Sequence, residues 1–102
     1  MSIKIKKYRD FSEVLKVKLK DPEIATGYLN EALASGDKKV FLLALRHVVD
    51  ARGNLKGFAE EYDIPRQSIY RMLSEEGNPT WGSLYDLLES LGFHLQVRWA
   101  AL

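Results

Sequence analysis

The side chains best suited to recognition chemistry are Arg66, Gln67, Tyr70 and Arg71, within the stretch DIPRQSIYRMLSEEGNPT at residues 63–80. An arginine can make paired hydrogen bonds to guanine O6 and N7, and a glutamine can do the same to adenine N6 and N7. On a helix of this spacing Arg66, Gln67, Tyr70 and Arg71 share an outer face, while Ile69, Met72 and Leu73 point inward. Arg66 and Gln67 fall in the first turn, where reach into a groove is best. Tyr70 and Arg71 follow one turn later and can meet a base, a thymine methyl or a phosphate. Asn54 and Thr80 are placed to open the neighbouring helices, whose N-termini offer backbone donors to phosphate, and Lys56 adds a positive charge near the first of them. An ordinary solvated helix face fits the same residues. Glu60, Glu61, Asp63, Glu75 and Glu76 would also weaken the electrostatic footprint of one copy on DNA. Tight binding therefore calls for a dimer, with recognition helices one helical turn apart, about 34 Å.

Other chemistries find little support. There are no cysteines, so a disulfide framework, a thiolate metal site and a thiol nucleophile are all excluded. His47 sits in an apolar helical stretch and His94 in an alternating one, neither with a second histidine or a carboxylate at ligand spacing. Packing or surface roles suit them better. Glu60 and Glu61 are adjacent and so diverge on a helix, and no phosphate-binding glycine loop or nucleophile motif is present. The expectation is no enzyme activity, no metal and no cofactor. Trp81, beside a turn, is expected to act as a packing lid.

The elements that must position these side chains are mostly helical. Asp21-Pro22-Glu23 is a helix start: Asp can cap, Pro suits the first turn and Glu favours the positive end of the dipole. Ile24, Tyr28, Leu29 and Leu33 mark one face of that helix, which ends near Ser35-Gly36. Asp37 caps the next, running to about Arg52 and stopping at Gly53. Its stripe of Phe41, Leu45, Val48 and Val49, widened by Leu42 and Leu43, predicts a central helix with neighbours on two flanks. Asn54 caps a short helix with Leu55, Phe58 and Ala59 that ends around Tyr62-Asp63. The stretch at 63–80 follows and ends at Gly77-Asn78-Pro79, strong turn punctuation. Thr80 then caps a helix whose inner face uses Leu84, Leu87, Leu88 and Leu91, closed by Gly92. Phe11, Val14, Leu15, Val17 and Leu19 are apolar without a clean period.

Phe93 to Trp99 alternates, with Phe93, Leu95, Val97 and Trp99 on one face and His94, Gln96 and Arg98 on the other, and reads as a short strand. A lone strand leaves unpaired backbone groups. Its partner could be Ile3 to Ile5, a second copy of the chain or another protein. Pairing across a two-fold axis is favoured because homodimers are the commonest oligomers. Those four residues are then the expected dimer or partner interface, with Trp99 as an anchor.

A length of 102 residues fits one domain, with a segment and helix over 1–36, a helical core over 37–92 and the strand over 93–99. No apolar run approaches the roughly 18 residues of a membrane span, and the N-terminus lacks the apolar stretch of a signal peptide. A soluble, cytoplasmic protein is expected. The net charge of +1 is uneven: residues 1–20 hold seven Lys or Arg against two acids, and the rest hold eight against twelve, giving +5 and −4. A basic segment can meet phosphate or an acidic partner.

Two short helices joined by a tight turn suggest a helix-turn-helix. The stretch from Asn54 to Leu95, above all LSEEGNPTW, Phe58-Ala59-Glu60 and Leu88 to Gly92, resembles the Xre-like helix-turn-helix of addiction-module antidote proteins, the HigA-like antitoxins. YLNEAL followed by Gly36-Asp37 is similar to that family's N-terminal helices. The resemblance spans residues 11–97. It implies a mainly α, lambda-repressor-like helix-turn-helix domain. It also implies an antitoxin that represses its own promoter on double-stranded operator DNA and neutralises a RelE/ParE-like toxin. By position it places Arg66, Gln67, Ser68, Tyr70 and Arg71 on the recognition helix, with Ile69, Leu73, Leu84 and Leu88 at packing positions. The chain departs from the pattern at Asp63, where glycine is usual, and at Pro65, where a Ser or Thr cap is usual. The basic N-terminal segment, together with the early helices, is the expected hold on the toxin, either through an acidic patch on the toxin or through contacts made mainly by Phe11, Val14 and Leu15. The alternatives are a stand-alone Xre-like regulator and a protein-interaction module that does not read DNA.

Overall fold

The computed structural model describes residues 13–53 and 55–101, and its regular elements are all helices. Helix α1 is seen over residues 13–18. It is followed by α2 (Pro22–Ala34), α3 (Lys38–Arg52), α4 (Leu55–Tyr62), α5 (Arg66–Met72) and α6 (Trp81–Ser90).

Local chemistry sets the boundaries. The Asp21 carboxylate accepts from the backbone N–H of Glu23 at 2.9 Å and of Ile24 at 3.4 Å, and Pro22 opens α2. The Asp37 carboxylate accepts from the Lys39 N–H at 2.9 Å and starts α3. Each such cap stabilises by about 1 kcal/mol. Gly53 ends α3 in the left-handed region, its N–H donating to the Val49 carbonyl at 2.8 Å.

Helix α3 is central, as its sequence predicts. Leu45 and Val48 are wholly buried, with Phe41, Leu42, Ala44, Val49 and Ala51 beside them. Each fully buried large aliphatic side chain contributes about 1.5–3 kcal/mol. Leu43 does not widen the stripe: it is 45% exposed, facing away from Leu42. Helix α2 packs on α3. Its buried residues are Ala25, Leu29 and Ala32, whereas Ile24 and Leu33 are about half exposed. The expected face of α2 is thus turned toward its small residues, which let the two helices approach closely. Residues 13–18, where no period was evident, are helical. Leu15 and Leu19, one turn apart, face the core, and Leu19 is 1% exposed.

The turns around α5 are tightly determined. At the end of α4, Asp63 takes a left-handed conformation (φ 53°) and the Ile64 N–H donates back to the Ala59 carbonyl at 3.0 Å. This is a Schellman stop with Asp in the usual glycine position and an apolar contact beneath it. Pro65 precedes α5 in extended conformation and offers no side-chain cap. After α5 the chain folds back over the helix end so closely that a Cβ on Gly77 would collide with the Met72 carbonyl oxygen. Leu87, Leu88 and Leu91 of the α6 region then complete the core.

The C-terminal strand expected over 93–99 is not formed, and no described residue lies in a strand. Phe93 belongs instead to the stop of α6: Gly92 is left-handed and the Phe93 N–H donates to the Leu88 carbonyl at 2.9 Å. Arg52 lies over the Phe93 ring at 5.5 Å. No other described segment offers this stretch a ladder. Ile3 and Ile5, one of the expected partners, lie outside the described residues.

Two substitutions test the turns. Gly77→Ala is expected to lower the unfolding free energy by about 1–3 kcal/mol, since a carbonyl must move to admit the methyl group. Asp63→Gly removes a Cβ from a left-handed position and is expected to be neutral or to stabilise by up to about 1 kcal/mol. Urea denaturation measures both, and an unchanged midpoint for Gly77→Ala would contradict the close approach.

Candidate nucleic-acid interface

Helix α5 is short, and its inner side is settled by Ile69 and Leu73, each 1% exposed, with Met72 partly buried. That fixes where the polar residues lie. Gln67 and Arg71 are exposed and, by helical spacing, occupy the centre of the outward arc. Arg66 and Tyr70 take the flank toward α3. There they line an open pocket of about 420 Å³ with Glu13, Lys16, His47 and Asp50. The Tyr70 hydroxyl donates to the Asp50 carboxylate at 3.1 Å. Burial, then the bond to Asp50 and its charge, push the Tyr70 pKa up against the pull of Arg66, so the phenol stays a donor. Tyr70 therefore ties α5 to α3, whereas its spacing had placed it with the free outer face. Ser68, half-buried, takes the opposite flank, in a cleft with Arg71, Asn78 and Pro79.

The flanking candidates are placed as follows. Thr80 caps α6: its hydroxyl oxygen accepts from the Ser83 N–H at 3.1 Å and its O–H donates to Ser83 Oγ at 2.9 Å. Asn54 and the Lys56 side chain lie outside the described residues. Lys38, which the sequence did not single out, donates from Nζ to Asn78 Oδ1 at 3.1 Å and ties the start of α3 to the turn after α5. The two residues are forty apart in the chain, so no local pattern announces the contact.

Trp81 is not a lid. It is 68% exposed and stands against Tyr85, ring centroids 6.0 Å apart. The four residues expected to share an interface separate into pairs. Phe93 and Leu95 pack against the chain's own core, while Val97 and Trp99 are 100% and 90% exposed. The segment expected to hold a toxin lies mostly outside the described residues. Within them, Val14 is exposed and Leu15 is packed inward.

A family model described as probable addiction module antidote protein matches residues 7–99. The chain belongs to this family. A similar protein, an uncharacterized protein of Haemophilus influenzae (strain ATCC 51907 / DSM 11121 / KW20 / Rd), is 34% identical over 71 residues, covering 70% of this chain and 72% of that protein. No solved structure matches. Membership points to the antitoxin of a toxin–antitoxin system, hence to a cognate toxin as partner and to a regulatory role. Among the described residues of this antidote-family chain, no group of His, Asp and Glu could hold a metal ion, and no helix is long and apolar enough to cross a membrane.

His47 has a packing role. Its Nδ1 lies 2.7 Å from the Tyr28 hydroxyl, joining α3 to α2. Partial burial, then the charge of Arg46, hold its pKa below the ordinary 6.5, against an opposing pull from Asp50. On acidification the unfolded chain therefore takes up this proton first. The His47 contribution is complete above the ordinary value and is lost as pH falls from there through the folded-state value. Urea unfolding at about pH 7.5 and about pH 5.5 should show lower stability at the acidic point, and His47→Gln should shrink the difference. An undiminished difference in the variant would place the acid sensitivity elsewhere.

Proposed function

We propose that this antidote-family chain is a transcriptional repressor as well as an antitoxin. In this reading α4 and α5 form a lambda-repressor-like helix-turn-helix that enters the major groove of operator DNA. The observation that carries it is the outward presentation of Gln67 and Arg71 on a short helix tied to α3 through Tyr70 and through the turn that follows it. Glutamine and arginine are the side chains that read adenine and guanine bidentately. Arg66 and Ser68 flank them and reach adjoining bases or phosphates. Tyr70 sets the angle of the helix through Asp50. The Thr80-capped start of α6 faces a phosphate with its backbone N–H groups, and the start of α4, for which the sequence offers Asn54 and Lys56, does the same. The toxin is of the RelE/ParE-like kind that the sequence resemblance implies.

The test is binding to a DNA fragment from just upstream of the chain's own gene, across a salt series. Gln67→Ala and Arg71→Ala are each expected to weaken specific binding by about 1–3 kcal/mol while leaving toxin binding intact. Affinity that is unchanged in both variants would favour a protein-interaction module over a DNA reader.

Repression on this scheme uses a homodimer, because one copy presents few cations to DNA. Val97 and Trp99 are the proposed contact: they are large, apolar and bury nothing within the chain. Removing residues 96–102 spares Phe93 and Leu95, so the fold should survive. The truncated chain is expected to sediment as a monomer and to bind the operator more weakly. A truncated chain that remains dimeric would move the interface elsewhere.

A further inference from the structure

Besides the face of α5, the described residues show a second distinctive surface, where α6 exposes two aromatic side chains together. Trp81 is 68% exposed and Tyr85 41%. Their rings lie 6.0 Å apart. Acids rim these rings. The Tyr85 hydroxyl donates to Glu89 Oε1 at 3.2 Å, and Glu89 Oε2 lies 3.2 Å from His94 Nδ1. Asp86, next to Tyr85 in α6, adds a further carboxylate. Helix α6 itself, WGSLYDLLES, carries no Lys or Arg.

The charge excludes two occupants. A rim of carboxylates repels phosphate, so the proposed DNA interface does not extend along α6 beyond its Thr80-capped start. Two copies of the same acidic face would oppose like charges, which disfavours self-association here. Exposed Trp and Tyr are the residues most enriched at protein interfaces, and their ring faces attract Arg and Lys. Carboxylates beside the rings then pair with the same cations through charge-assisted hydrogen bonds.

We infer that the outer face of α6, with Trp81 and Tyr85 at its centre and Asp86 and Glu89 at its rim, is the docking surface for the toxin, and that it receives Arg or Lys side chains of the toxin. This inference rests on the antidote reading for the existence of that partner.

The test uses the full-length chain and the toxin encoded with it in the same module, purified and titrated by calorimetry. Trp81→Ala is expected to weaken toxin binding by about 30-fold or more, as loss of an interface hot spot does. Glu89→Lys is expected to weaken it too and to flatten its salt dependence. Both variants should keep the wild-type circular dichroism spectrum, and Glu89→Lys, more than two turns along α6 from the Thr80 cap, should keep operator affinity. If wild type binds toxin and both variants bind it equally well, the inference is wrong and the antidote reading stands. If Trp81→Ala turns a dimer into a monomer, the face belongs to a second copy and the inference is also wrong. If wild type binds no toxin at all, the antidote reading and the inference fall together.

Discussion

Helix α3 cannot be satisfied by a single neighbour, and the rest of the chain is arranged around that constraint. Seven of its side chains are buried, spread over more than one side of the helix. Helix α2 covers one flank through Ala25, Leu29 and Ala32. Leu19, Leu55, Phe58, Ile69, Leu73 and the leucines of α6 complete the cover. No polar side chain is buried among the described residues, so hydrophobic burial holds the assembly together without giving it direction. Direction comes from polar ties at the rim of α3. Tyr28 meets His47, Lys38 meets Asn78, Arg52 meets the Lys20 carbonyl, and Tyr70 meets Asp50. Every one of these contacts between distant parts of the chain has an α3 residue on one side. Two of them, at Asp50 and at Lys38, hold α5 and the turn that follows it. The outward face of α5 is therefore aimed from α3, and its own sequence decides only which residues occupy that face.

This explains which features could be read directly from the sequence. Helix limits depend on neighbours in the chain, and Asp21, Asp37, Thr80, Gly53 and Gly92 act where their types indicate. Faces depend on size as well as hydrophobicity. In α2 the large Ile24 and Leu33 mark the pattern, yet the small alanines face the core because they allow close approach. The alternation from Phe93 to Trp99 has the period of a strand, but a strand exists only with a partner. Phe93 and Leu95 found apolar contacts at home first. At the candidate interface the residue types were legible and their directions were not. Tyr70 looked free because its acceptor, Asp50, lies twenty residues upstream. Lys38 went unnoticed for the same reason.

A net charge of +1 says almost nothing about what this surface meets, because the charges are sorted by place. Outward on α5 stand Gln67 and Arg71, with Arg66 on the flank. Beside Trp81 and Tyr85 stand Asp86 and Glu89. On the proposed reading this sorting separates the partners: phosphate is turned away from the aromatic face and drawn to α5, and a cationic protein surface the reverse. DNA and toxin could then be held by one chain without competing for the same side chains.

The weak cationic footprint of α5 has a further consequence on that reading. With Arg71 facing out and Arg66 on the flank, one copy neutralises few phosphates, and its affinity cannot rest on counterion release alone. Pairing two copies doubles the contacts and adds the fixed spacing of half-sites. Val97 and Trp99 suit that task because they bury nothing within their own chain. Their loss would then appear in the dimer equilibrium and in DNA affinity, with the fold unchanged. The stability of the monomer is set around α3, some distance along the chain from either residue. Folding and assembly are in this way governed by separate sets of side chains, and a change in one can be measured without disturbing the other.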